Sequence, residues 1–178
     1  MAKIIDGTNG NDIGKDSLIG TSGSDIIRGY LGRDKLIGNS GRDSLYGGRG
    51  PDSLYGGRGR DSLYGGRGPD SLDGGPGRDF LNGGRGTDQL TGGAGADKFY
   101  FKFGHGVDVI TDFSGIGGDN DSIRLDGSSF GLPQGILSSV NFNQFFNISG
   151  NVLSYNNQAF LAFNNISGFD PSTDIRVV

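Results

Sequence analysis

From Asp16 onward an aspartate returns at every ninth residue: Asp16, Asp25, Asp34, Asp43, Asp52, Asp61, Asp70, Asp79, Asp88 and Asp97. Two residues before each stands a glycine, from Gly14 to Gly95. Two residues after each stands an apolar side chain: Leu18, Ile27, a run of leucines from Leu36 to Leu90, and Phe99. A fixed period of this length dictates stacked repeats before any local propensity is consulted. The six glycine-rich residues of each repeat form a turn, because glycine reaches positive φ without a Cβ clash. The next three form a short strand whose eighth-position side chain points inward while the seventh and ninth point outward. Two repeats complete one coil with a strand on each side. The predicted fold is all-β: a right-handed parallel β-roll, a form of β-helix, with two parallel sheets around a thin aliphatic core.

In such a stack each aspartate lies over the one in the next coil, about 4.8 Å away. Asp16 sits over Asp34, Asp25 over Asp43, and so on to Asp79 over Asp97, with turn carbonyls framing each pair. All 20 acidic residues are Asp, and Cys is absent. Asp holds its carboxylate close to the backbone, which suits turns and loop-bound cations. Hard oxygen donors without thiolate or clustered imidazole select Ca²⁺ over Zn²⁺ or Cu²⁺. The ten ladder aspartates are therefore candidate ligands for up to about eight Ca²⁺ ions. Stacked carboxylates without a cation repel one another, so the roll is expected to be largely unfolded without Ca²⁺ and to fold on binding it.

Six consecutive repeats open with Gly-Gly, from Gly47-Gly48 to Gly92-Gly93. The pattern GGxGxDxLx over residues 14–100 resembles the RTX (repeat-in-toxin) nonapeptide family of calcium-binding β-rolls. That resemblance implies Ca²⁺ held between coils by the ladder aspartates and by turn carbonyls. Here those would come from Gly47, Gly50, Gly56, Gly59, Gly65, Gly68, Gly74, Gly77, Gly83 and Gly86. The early repeats depart from the pattern at Gly20-Thr21, Gly29-Tyr30 and Gly38-Asn39, where tighter turns or weaker sites are expected.

Residues 1–13 read as an N-terminal cap, with Ile4 and Ile5 in a short strand. Residues 101–178 change character, as Gly falls and Phe, Asn, Ile and Val rise. Strands are predicted at 99–103, 107–113, 121–125 and 173–178, with a hairpin over 151–163 turning at Asn156-Asn157. This segment is similar to the sequence after the roll in serralysin-like proteases, and is expected to cover the open end of the stack. Asp112, Asp119 and Asp121 are candidates for a further metal site where roll and cap meet. The tail from Asp174 to Val178 resembles the acidic-then-hydrophobic signal of type I secretion substrates, although Arg176 interrupts its apolar run. It implies a secreted, extracellular protein with the type I secretion machinery as a partner. The start of the chain lacks the basic and apolar regions of a cleavable leader, and no run of 18 apolar residues suggests a membrane span.

No catalytic constellation is visible. His105 stands alone between Gly104 and Gly106, and the Gly-x-Gly pairs belong to the repeat, with no helix following them. The expectation is a non-enzymatic, monomeric module with no affinity for nucleic acid. The arginines set this roll apart. Arg49, Arg67 and Arg85 recur at the third position on one edge; Arg58 falls on the other, with Arg42, Arg60 and Arg78 at the fifth. Tyr46 and Tyr64 share one face, with Tyr55 on the opposite one. Residues 14–100 carry 12 Lys and Arg against 11 Asp, so bound Ca²⁺ would make the roll electropositive despite a chain charge of −4. Two readings stay open. The arginines balance the ladder and keep the roll soluble, or Arg49, Arg58, Arg60, Arg67, Arg78 and Arg85 bind an acidic polysaccharide or cell surface. The R-modules of mannuronan C5-epimerases, to which the roll is similar, are the precedent for the second. The favoured function is a secreted calcium-binding module that folds after export and assists its own or a parent protein's secretion. The alternative is a polysaccharide-binding module of a larger enzyme.

Overall fold

Alternate repeats fall on opposite sheets. A computed structural model describes residues 1–11, 17–115, 119–131, 135–136, 146–149, 151–155, 158–164, 166–167, 170 and 174–178. Sheet I runs Ile4–Asp6, Ile26–Leu31, Ser44–Arg49, Ser62–Arg67, Phe80–Arg85, Lys98–Phe101, Ser122–Leu125, Ile175–Val177 and Gly135–Ile136. Sheet II runs Leu18–Ile19, Lys35–Ile37, Ser53–Tyr55, Ser71–Asp73, Gln89–Thr91, Asp108–Ile110, Gln158–Phe163, Val152–Tyr155 and Phe146–Ser149. Through the repeats every pairing is parallel and in the predicted register: Leu45 lies opposite Leu63, and Leu54 opposite Leu72. The fold is thus an all-β parallel roll, as the periodicity dictates.

The inward-facing eighth positions form the core. Ile27, Leu36, Leu45, Leu54, Leu63, Leu81, Leu90 and Phe99 are wholly buried. Each buried aliphatic side chain stabilises the fold by about 1.5–3 kcal/mol relative to exposure. Because a coil contributes one such residue per sheet, the core is only two side chains thick.

The two sheets differ in a way the repeat does not announce. From Ile26 to Arg85 the strands of sheet I are six residues long, while from Lys35 to Thr91 those of sheet II are three. The expected three-residue strand is right for sheet II only. In sheet I the Gly-Gly-Arg of the turn continues the ladder, with Gly48 opposite Gly66 and Arg49 opposite Arg67. Gly48 and Gly66 take φ of 114°, which favours glycine. At the same second position Tyr30 and Asn39 each take φ of 75°, so these two repeats keep a left-handed backbone there, whereas Thr21 does not.

Beyond residue 100 both sheets continue before closing. Lys98–Phe101 pairs with Ser122–Leu125, and that strand with Ile175–Val177, all parallel. Antiparallel pairings end the stack: Gly135–Ile136 on sheet I, and on sheet II Gln158–Phe163 with Val152–Tyr155 and that strand with Phe146–Ser149. The strand expected at 107–113 is divided into Asp108–Ile110 and Phe113–Ser114. Asp112, between them, turns its carboxylate onto Gly92 and Gly93 N–H. A one-turn helix over Gly127–Phe130, absent from the sequence expectation, is capped by Asp126 and by Gly131 at φ 64°. Gly14, Asp16, the Asn156-Asn157 turn and residue 173 lie outside the described residues. No helix among the described residues is long and apolar enough to cross a membrane.

Candidate metal centres

The stacking places each ladder aspartate against the backbone of the preceding coil. The Oδ1 of Asp43, Asp52, Asp61, Asp70, Asp79, Asp88 and Asp97 accepts the N–H of the aspartate 18 residues earlier, at 2.7–2.9 Å. Every described ladder side chain from Asp25 to Asp97 is at most 3% exposed. The second oxygen has a different environment. Oδ2 of Asp43, Asp52, Asp61, Asp70, Asp79, Asp88 and Asp97 is buried without a hydrogen-bond partner. A buried carboxylate oxygen left this way costs several kcal/mol unless it neutralises or meets a cation.

The first-position glycines show where that oxygen points. A Cβ on Gly47 would lie 2.6 Å from Asp52 Oδ2 and 2.6 Å from the carbonyl oxygen of Gly65 in the next coil. At Gly65 the same two neighbours, Asp70 Oδ2 and Gly83 O, stand at 2.5 Å each. Gly38, Gly56 and Gly74 repeat the arrangement with Asp43, Asp61 and Asp79. A carboxylate oxygen and a main-chain carbonyl therefore converge over each of these glycines, in space a side chain would fill. The fourth-position glycines pack closer still: Gly50, Gly59, Gly68, Gly77 and Gly86 sit on the carbonyls of the fourth-position glycines one coil earlier.

The electrostatics follow from burial. Burial is the largest influence on the raised ladder carboxyls: it pushes Asp43 and Asp52 to about 6, Asp79 to about 7, and Asp70 and Asp97 to about 8, from an ordinary value of 3.8. Neighbouring aspartates add repulsion, and the hydrogen bond from the coil below offsets part of both. Without a cation Asp70 and Asp97 hold protons at neutral pH and Asp79 is divided between its two forms, while Asp43 and Asp52 take theirs up just below it. With one, they become charged oxygen donors.

Asp25 is the exception. Its Oδ2 takes hydrogen bonds from Thr21 N at 2.5 Å and Thr21 Oγ1 at 2.8 Å, and its Oδ1 takes one from Lys3 N at 2.6 Å. Burial pushes its carboxyl up, but these bonds outweigh burial and leave it below the ordinary value. The departure of Thr21 from the Gly-Gly pattern thus supplies a hydroxyl donor that later repeats lack.

The ladder does not stop at Asp97. Asp108 Oδ1 accepts the N–H of Asp88 at 3.0 Å, and Asp121 Oδ1 accepts that of Asp97 at 2.9 Å. Burial raises Asp108 to about 7 and Asp121 to about 6. Asp108 escapes a strict nine-residue count because it follows Asp88 by 20 residues. The signal was present: Gly106, Asp108 and Ile110 keep the glycine–aspartate–apolar spacing of the repeat. Asp121 also accepts Ser114 N–H at 2.9 Å, whereas Asp119 is exposed. Among the described residues no three carboxylate or imidazole side chains gather at one point. An ion here would draw on one or two carboxylates and take its remaining ligands from the main chain. This all-oxygen donor set, with its unpartnered carboxylate oxygens, fits Ca²⁺.

The other named residues are spread along the surface. Arg49, Arg67 and Arg85 form an in-register column at the end of the sheet I strands. Arg60 and Arg78 stand just before those strands, while Arg58 follows a sheet II strand. The Tyr46 and Tyr64 rings stack at 4.9 Å on sheet I. His105 is a half-buried loop residue whose main-chain oxygen accepts Gly86 N–H.

No curated protein matches. An extracellular lipase, LipA from Serratia marcescens, is similar in structure at 16% identity and a TM-score of 0.40, over 89% of this chain and 39% of the lipase chain. The model of the RTX calcium-binding nonapeptide repeat matches residues 13–45, 37–72 and 73–108, more than half of the 178 residues. The chain belongs to the RTX calcium-binding nonapeptide repeat family.

Proposed function

We propose that this chain is a secreted calcium module whose roll, residues 14–100, folds as Ca²⁺ enters between its coils. The supporting observation is the row of buried carboxylate oxygens without hydrogen-bond partners, Asp43 to Asp97, those of Asp43, Asp52, Asp61, Asp70 and Asp79 each beside a first-position glycine carbonyl of the next coil. The ladder aspartates would hold the ions through Oδ2, with main-chain oxygens of the first- and fourth-position glycines, and Asp108 and Asp121 extend the two columns. The ion supplies positive charge that lets these carboxylates ionise in a buried setting. The residues keep their own tasks. Oδ1 fixes each carboxylate to the coil below, and the first-position glycines leave room at Oδ2. At a free Ca²⁺ of 100 times the site dissociation constant, each independent site adds about 2.7 kcal/mol to folding. Filling about eight sites turns a two-residue-thick core into a stable one.

Ca²⁺-poor cytosol would keep the roll open, and Ca²⁺ outside the cell would close it. The tail adds a reason. Ile175 and Val177 are buried in sheet I, so a signal read from this segment is accessible only before folding. Isothermal titration paired with circular dichroism tests the reading: several ions bind, and β structure grows with them. Full β structure in excess EGTA would sink it. Export by a type I secretion system, abolished when Asp174–Val178 is replaced by a polar tail, tests the secretion half.

A further inference from the structure

Where two coils of sheet I carry Arg60 and Arg78 at the fifth position, the next carries Ala96. Beside that small side chain lies a hollow of about 390 Å³, whose lining includes Arg78, Lys98, Arg124 and Arg176. The four cations come from successive rungs. Arg78 precedes Phe80–Arg85, Lys98 opens Lys98–Phe101, Arg124 lies in Ser122–Leu125, and Arg176 lies in Ile175–Val177. They stand at three register positions, so they line one hollow instead of forming a straight file.

Nothing within the described chain balances this charge. Arg124 and Arg176 lie directly opposite on adjacent strands, a placement in which like charges destabilise a sheet. None of the four forms an ion pair among the described residues, where the pairs are Arg28–Asp6 and Lys102–Asp126. Arg124 Nε is buried with no hydrogen-bond partner, and an unpaired buried donor on a charged group is costly. The two carboxylates of the lining, Asp121 and Asp174, are at most 4% exposed and turn to the main chain. Asp121 accepts the N–H of Asp97 and of Ser114, and Asp174 accepts that of Asp170. The hollow along sheet II differs: Pro51, Pro69 and Thr87 stand at its fifth positions, and Arg33 is the single cation among the described residues that line it.

We propose that the hollow on sheet I binds a phosphate monoester, with the terminal phosphate seated among Lys98, Arg124 and Arg176. Such a group carries a charge of about −1.5 to −2 at neutral pH and three strong acceptor oxygens. It can therefore answer two facing guanidinium groups and an ammonium at once. A carboxylate brings one charge and two oxygens. Guanidinium groups pair bidentately with phosphate oxygens, and the buried Arg124 Nε–H gains the acceptor it lacks. The hollow has the size of a small-ligand site, about 300–1,000 Å³. Of the arginines singled out by sequence it uses Arg78 alone, and it leaves the calcium columns untouched.

The test is a phosphorus NMR titration of glycerol phosphate with the full chain, folded in saturating Ca²⁺ at low, fixed ionic strength. Saturable binding is expected. It should weaken at least about tenfold in Lys98→Gln/Arg176→Gln, two exposed side chains whose loss leaves the fold intact. Arg124→Gln should weaken it as well, and the sheet II variant Arg33→Ala/Lys35→Ala should bind as the parent does. Dimethyl phosphate, a diester with a single charge, should bind at least about tenfold more weakly than the monoester. Circular dichroism checks that every sample is folded. No saturable shift from the folded parent would overturn this site while leaving the calcium reading standing. Equal losses in both double variants, or diester binding as tight as monoester binding, would overturn it too. A second arm identifies the source of the phosphate. Phosphatidylcholine vesicles carrying phosphatidate that sediment with the chain, and release it to glycerol phosphate, assign a lipid head group. Binding of the free ester without vesicle capture assigns a soluble phosphate, and either result supports the site.

Discussion

The interior of the molecule is built in two ways. Within the repeats it is a double file of leucines with buried carboxylates along its edges. Beyond Phe99 it becomes a cluster of rings: Phe113 meets Phe99 at 6.2 Å and Phe163 at 5.6 Å, while Phe130 meets Phe103, Tyr155 and Phe160 at 5.1–5.4 Å. Aromatic side chains bury far more surface per residue than the single leucine of a repeat. The ring cluster can therefore hold itself together by burial. The roll joins a thin core to carboxylates that oppose folding until they are neutralised, so Ca²⁺ is predicted to matter to one region far more than to the other.

Removing the ion is the largest test of that contrast. In EGTA at neutral pH, amides of Ser44–Arg49 and Ser62–Arg67 should exchange with solvent at nearly unprotected rates, while those of Ser122–Leu125 and Gln158–Phe163 retain measurable protection. Equal loss in both regions would mean that the two interiors form one cooperative unit. Acid should then reverse part of the loss. Asp43 and Asp52 sit at about 6, Asp79 at about 7, and Asp70 and Asp97 at about 8, against 3.8 when ordinary. Raised folded-state values mean that the folded apo roll binds more protons than the unfolded chain. This contribution is complete below the ordinary value and is lost as pH rises through about 6 to 8. Ellipticity in EGTA should grow on going from pH 8 to pH 5. With limiting Ca²⁺ the slope reverses, because protons compete with the ion. A pH-independent apo spectrum would break the link between buried carboxylates and instability.

Single substitutions sharpen the comparison. Phe130→Ala should cost about 3–5 kcal/mol in thermal or denaturant unfolding of the Ca²⁺-loaded chain, because Phe130 is 1% exposed at the centre of the rings. Its effect on Ca²⁺ stoichiometry should be nil. Gly65→Ala should do the opposite, since its Cβ would lie 2.5 Å from both Asp70 Oδ2 and Gly83 O. It should remove at least one ion from the titration, about 2.7 kcal/mol at 100 times the dissociation constant. A full complement of ions in Gly65→Ala would place the sites elsewhere.

Leucines and aspartates at fixed spacing are enough to derive the register, the buried file and the stacked carboxylates. Other features depend on interactions between distant residues. Gly47-Gly48-Arg49 and Gly56-Gly57-Arg58 read alike, yet the first lies within a sheet I strand and the second leaves sheet II before a short pairing of its own. Asp108 joins the ladder because the loop around Gly104 absorbs two extra residues, which a strict period discards. Lys98, Arg124 and Arg176 come from segments with no common period, and only the pairing of Lys98–Phe101, Ser122–Leu125 and Ile175–Val177 brings them to one face.

The smallest effect is expected at the first described rung. Asp25 occupies the same repeat position as Asp70, yet both its oxygens already have donors, from Thr21 and Lys3. It therefore has little left to offer an ion. Asp25→Asn should change the number of bound Ca²⁺ by less than one and cost about 1 kcal/mol, the net value of a hydrogen bond lost where its amide N–H₂ meets a backbone donor. Asp70→Asn should remove bound Ca²⁺, because the neutral side chain loses the oxygen charge that the buried Oδ2 position otherwise presents. Isothermal titration of the two variants side by side decides it. Equal losses of stoichiometry would show that Thr21 yields to the ion and that the early rungs bind like the later ones. Unequal losses would place Asp25, beside Gly20-Thr21, outside the calcium ladder.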